Sequence, residues 1–117
     1  MVTLKRLDVS EVGDVTVVHF RDRRIIDDLG IQETGQELLH LVEEEGRRKL
    51  LLNFATVGFM SSAALGKLIT LNKKMKVEGG VVKMCNIRPE IHEVFAITRL
   101  DRLFDIQKDE SEALASF

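Results

Sequence analysis

The sequence predicts an α/β fold, a mixed β-sheet of about five strands with about four helices packed on it. Three observations carry this. Apolar runs of strand length alternate with amphipathic stretches of helical length; two strand-like runs open the chain side by side; and Leu50-Leu51-Leu52 is continuously apolar, as suits a central strand covered on both faces.

Residues 3–9 and 14–20 are rich in β-branched and apolar side chains, and Glu11-Val12-Gly13-Asp14 between them supplies a turn, so they read as a hairpin. Residues 21–30 are charged and without a period, which reads as a connection. Over 32–45, Leu38, Leu41 and Val42 share one helical face, Glu37 and Glu44 fall off it, and Gly46 offers a left-handed stop. Arg47-Arg48-Lys49 leads into the strand 50–54. Ser62–Val77 follows as a helix with Ala64, Leu68, Leu71 and Met75 along one stripe and Lys67, Thr70 and Lys74 along another, ended by Gly79-Gly80.

Residues 81–87 read as a further buried strand, and Pro89 fits the first turn of a helix carrying Ile91, Val94, Phe95 and Thr98. A short last strand is expected at 103–106. Asp109 and Glu112 then stand as a capping box for a terminal helix through Ala113 and Leu114. The order ββαβαβαβα calls for parallel pairs joined by right-handed crossovers.

The 117 residues carry 17 Lys+Arg and 19 Asp+Glu, a net charge of −2, with 44% hydrophobic residues, enough for one core. No Pro/Gly/Ser-rich linker divides them, so 1–117 reads as one domain. Interspersed charge signs argue against direct nucleic-acid binding, which needs a concentrated basic face. No apolar run approaches the roughly 18 to 20 residues that cross a bilayer, and the start lacks a signal-peptide core, so the expected setting is cytoplasmic with no membrane insertion. The single Cys85 reads as a buried small hydrophobe, and His19, His40 and His92 show no metal-ligand spacing. No phosphate-binding glycine loop and no nucleophile with an adjacent base is evident. No cofactor, metal or catalytic residue is therefore expected, and the chain reads as a non-enzyme.

The informative segment is Phe59-Met60-Ser61-Ser62-Ala63-Ala64-Leu65-Gly66, which enters a helix through two hydroxyl residues. Either serine suits an N-cap. Either also suits phosphorylation, because the free N–H groups and partial positive charge of a helix start accommodate a phosphate.

This segment resembles FMDSSGLG of bacterial anti-sigma factor antagonists of the STAS domain family. Arg88-Pro89-Glu90-Ile91-His92-Glu93-Val94-Phe95 resembles the family's SPEVREVL, and Thr98-Arg99-Leu100-Asp101-Arg102-Leu103-Phe104-Asp105-Ile106 resembles its TGLDRLFEI. The resemblance implies a STAS-like domain that switches partners: unphosphorylated it binds an anti-sigma factor with serine-kinase activity, and phosphorylation, reversed by a serine phosphatase, blocks that binding. Its register puts the modified serine at Ser62, with Ser61 as the alternative; Ser61 stands where the family has aspartate, Ala63 where it has the second serine, and Ala64 where it has glycine. The implied partner surface comprises Ser61, Ser62, Lys67 and Thr70, with Asp27 and Asp28 from the charged connection. Two other readings use the same residues: a non-phosphorylated STAS scaffold in a transport or signalling assembly, and a nucleotide sensor at the helix start.

Overall fold

A two-residue turn sets the first hairpin. In the computed structural model, which describes residues 4–117, β1 (Leu7–Val12) and β2 (Val15–Phe20) pair antiparallel with Val12 opposite Val15. Gly13 (φ +62°) and Asp14 alone close the turn, and positive φ at the first loop position is what glycine supplies. So short a loop keeps Glu11 and Val12 in the ladder, which moves β1 toward the turn from its expected place at 3–9. Thr3 lies outside the described residues.

The expected connection at 21–30 holds structure instead. It contains β3 (Arg24–Ile25) and the beginning of α1 (Asp28–Glu43). Two residues are too few to show a strand period, and the helix starts ahead of position 32 because Asp27 caps it, accepting from the Gly30 N–H at 2.9 Å. Gly30 belongs there: a Cβ would lie 2.9 Å from the Asp27 carboxylate. The helix closes before Gly46 (φ +67°), with the Arg47 N–H returning to the Leu41 carbonyl at 3.0 Å.

The main sheet has the order β1-β2-β4-β6-β7, with β4 Lys49–Asn53, β6 Val81–Cys85 and β7 Asp105–Gln107, every pair after the hairpin being parallel. A second sheet pairs β3 with β5 (Phe59–Met60), a strand the sequence pattern does not reveal. Helices α2 (Ser62–Val77), α3 (Pro89–Ile97) and α4 (Glu110–Ala115) complete the four among the described residues. Strand β6 stops short of 87 because Asn86 turns left-handed (φ 57°). Strand β7 begins later than 103 because a 3₁₀ turn, Leu100–Arg102, takes the chain through Leu103 while Phe104 is buried. The stop of α2 is a Schellman closure, with Gly80 N–H to Met75 C=O at 2.8 Å and Gly79 N–H to Lys76 C=O at 3.1 Å. At Gly80 a Cβ would lie 2.6 Å from the Arg48 carbonyl oxygen, so glycine lets the chain enter β6 beside β4.

Strand alternation divides the apolar residues between two faces. One face joins Val18, Phe20, Leu50, Leu52, Val82 and Met84 to the buried stripes of α1, α2 and α3, with Phe54 and Phe95 meeting edge-on at 6.3 Å between centroids. The other holds Val15, Val17, Leu51 and Cys85 under Ala113 of α4. Polar ties hold α4 and the chain end in place. Asn53 donates to Glu110 at 3.0 Å, and His19 lies 3.2 Å from the same carboxylate. Buried Lys83 donates to the Ser116 carbonyl at 2.8 Å and pairs with Asp105 at 3.0 Å.

Lys83→Met keeps the aliphatic stem but removes these ties. It is expected to lower stability by about 1–3 kcal/mol and to speed thiol labelling of Cys85 beneath α4; urea unfolding and labelling rates check both. The Lys83 hydrogen bond holds the Asp105 carboxyl below its ordinary range, so the stability Asp105 adds is complete above that range and is lost as pH falls through its folded pKa. Asp105→Asn should correspondingly flatten the acid limb of the stability profile.

Candidate functional site

The small sheet is the scaffold of the site. The Arg23 carbonyl accepts from the Gly58 N–H at 2.8 Å and the Phe59 N–H at 3.1 Å, and the Ser61 N–H donates to the Ile25 carbonyl at 3.1 Å. These bonds carry the chain into α2 beside the segment that enters α1. The connection before them is fixed as well: the Ala55 N–H donates to the Asn53 side chain at 2.9 Å, and Arg88 Nε, ahead of α3, donates to the Ala55 carbonyl at 3.0 Å.

The two serines have different tasks. Ser61 is extended (φ −80°, ψ 165°), and its Oγ accepts from the Ala64 N–H at 3.2 Å, so Ser61 is the N-cap. Ser62 is the first helical residue, exposed, and its hydroxyl makes no hydrogen bond to the described residues. Ala64 is buried, turning its side chain into the main core. The first turn of α2 contains no acidic residue. An anion on Ser62 would therefore meet the unpaired N–H groups of that turn without a carboxylate beside it in the helix.

The other sequence-derived candidates are spread along the two helices. Asp27 is the cap of α1 and Asp28 its first residue, both exposed, so they belong to a helix start and not to a free loop. Lys67 lies along the seam of α1 and α2: its stem packs on Gly35, where a Cβ would come within 2.8 Å of Lys67 Cδ, and its Nζ donates to Gln32 at 3.3 Å. Thr70 is exposed about 12 Å along the helix from Ser62, with its hydroxyl turned back to the Gly66 carbonyl at 3.1 Å. The structure thus gathers Asp27, Asp28, Ser61 and Ser62 at one end of the molecule and sets Lys67 and Thr70 further down.

The apolar part of this end is not evident in the sequence. Ile26, Leu29 and Phe59 are 42%, 64% and 60% exposed, with the Arg24 guanidinium 5.3 Å from the Phe59 ring centroid. Ile26 lies between two elements, Leu29 in the first turn of α1 and Phe59 in a two-residue strand, places too short to show a period. Elsewhere, burial pushes the Cys85 thiol up to about 12, with Glu110 and Asp109 adding to the effect, so it is protonated at neutral pH. Among the described residues no group of three or more His, Cys, Asp or Glu side chains is placed to hold a metal, and no helix is long and apolar enough to cross a membrane.

Comparison with known proteins decides the family. The model of the STAS domain matches residues 6–113. The chain belongs to the STAS domain family. Among relatives of this STAS domain, BtrV of Bordetella bronchiseptica, which carries the name anti-sigma factor antagonist, is 24% identical over 93 residues, covering 80% of this chain and 79% of BtrV. The solved anti-sigma-factor antagonist (STAS) domain protein of Planctomyces limnophilus superposes with a TM-score of 0.83 at 24% identity, covering 94% of this chain and 95% of that one. The phosphorylated form of the Bacillus cell fate determinant SpoIIAA superposes with a TM-score of 0.71 at 15% identity, covering 94% and 97%. The mixed sheet and four helices expected from the sequence are the architecture of these structures.

Ser61→Ala should cost about 1 kcal/mol of stability through loss of the cap, whereas Ser62→Ala should stay within about 0.5 kcal/mol of the parent. Urea unfolding of the two variants checks this, and equal losses would contradict the division of roles.

Proposed function

We propose that this STAS domain is an anti-sigma factor antagonist: it binds an anti-sigma factor that is also a serine kinase, loses that partner when Ser62 is phosphorylated, and is reset by a serine phosphatase. The observation that carries the reading is that Ser61 supplies the cap, leaving the Ser62 hydroxyl exposed and without a hydrogen bond to the described residues at the mouth of α2. Capping and modification thus fall on different residues. The names of BtrV and the Planctomyces domain support the general role, and the existence of a phosphorylated form of SpoIIAA supports the switch.

The mechanism is one of surface charge. A phosphoserine at position 62 carries about −1.5 to −2 charge, which the start of α2 tolerates, so the core need not change. Docked against a partner, the same charge must lose water, and a tenfold loss of affinity needs only about 1.4 kcal/mol. Ser61, Ser62, Asp27 and Asp28 form the centre of the proposed contact, with Lys67 and Thr70 at its edge. The role is carried out by binding, without catalysis by this chain, and the proposed setting is the cytoplasm.

Site-mapping mass spectrometry on protein from its own cells, grown under several conditions with phosphatases inhibited, tests the assignment. Phosphate on Ser62 whose occupancy varies with growth condition is expected. Complete peptide coverage with Ser62 never modified would overturn it, and phosphate confined to Ser61 would show that the modified residue is the cap.

A further inference from the structure

The strip that enters α1 is self-complementary. It reads Arg23-Arg24-Ile25-Ile26-Asp27-Asp28, two cations, two apolar residues and two anions, and of these side chains only Ile25 is buried. Its charges are also underused within the chain. Arg6 pairs with Asp22 and Glu33, and Arg21 with Asp8, yet Arg23 and Asp28 form no ion pair among the described residues, and Arg24 only overlies Phe59. The exposed apolar residues Ile26, Leu29 and Phe59 belong to the same end.

We propose that two copies of this chain pair through the 23–29 strip about a twofold axis. A twofold contact brings one patch against itself, residue i meeting j while j meets i. With the strips antiparallel, Arg23 of one copy faces Asp28 of the other and Arg24 faces Asp27, which sets the axis between Ile25 and Ile26, so that the exposed Ile26 of each copy lies one on either side of it, flanked by Leu29 and Phe59. The pattern of signs makes each of these charge contacts attractive, whereas a parallel arrangement sets like charges together. The Ser61 N–H is bonded to the Ile25 carbonyl, so a second copy seated here lies across the approach to Ser62 and competes with any partner that docks there. The pairing itself does not depend on phosphorylation or on the proposed function.

Charge exchange tests it. In sedimentation equilibrium at low salt, the average mass of the unmodified chain should rise above 13.3 kDa toward twice that value with concentration, and fall back when salt is added. Arg23→Glu alone sets anion against anion, and Asp28→Lys alone sets cation against cation; each should weaken self-association at least tenfold. When the two variants are mixed in equal amounts, the glutamate introduced in one faces the lysine introduced in the other, and the retained Asp28 of the first faces the retained Arg23 of the second. Association should then return, which also shows that both variants are folded. A chain that stays at 13.3 kDa at the highest concentration, single variants that associate like the parent, or a mixture that stays monomeric would each overturn the proposal. None of these results depends on a kinase, so failure here leaves the Ser62 reading standing.

Discussion

The hydrogen bond from the Ser61 N–H to the Ile25 carbonyl is the constraint on which the end of the molecule carrying the candidate site depends. It is the last rung of a ladder only two residues long on each side, separate from the main sheet. Without it, α1 and α2 would still pack, but their starts would not be held in register. With it, Asp27 caps one helix while Ser61 caps its neighbour, and the chain places two positive helix ends side by side. The two ends are then differentiated by sequence: α1 carries Asp28 in its first turn and α2 carries no acid there.

The main sheet supplies the rigidity behind this end. Strands β2, β4 and β6 present apolar residues to both faces, and three helices cover one of them. The short α4 covers part of the other over a small apolar cluster, and polar ties from Glu110 and Lys83 make up for its modest area. A buried lysine is costly unless its charge is answered, and here Asp105, the Ser116 carbonyl and the Phe117 ring all answer it.

Where periodicity and punctuation agree, the fold was legible in the residues. The helix Ser62–Val77 runs as its apolar stripe and the following glycine pair dictate, and Pro89 opens α3 at the position a proline tolerates. What escaped were elements too short for a period. Strands β3 and β5 are created by pairing with each other, and no local pattern in Arg24-Ile25 or Phe59-Met60 distinguishes them from loop. The start of α1 was hidden for a related reason: residues 21–30 are charged and without a period and read as a connection, until Asp27 is seen accepting from Gly30. At the site, the two serines could be singled out from sequence but not told apart by chemistry, because capping depends on Ser61 being extended and Ser62 helical. The exposure of Ile26, Leu29 and Phe59 was not legible because it depends on which apolar side chains tertiary packing leaves uncovered.

In the proposed switch, charge added at Ser62 changes the surface and leaves the fold alone. The most direct measurement is a pair of amide ¹H–¹⁵N spectra, of the unmodified chain and of the chain carrying phosphoserine at position 62. Shifts confined to residues 24–30 and 58–67, the two helix starts and the small sheet that joins them, are expected. Shifts spread through β2, β4 and β6, or loss of their dispersed signals, would contradict it, because the phosphate would then be acting on the core.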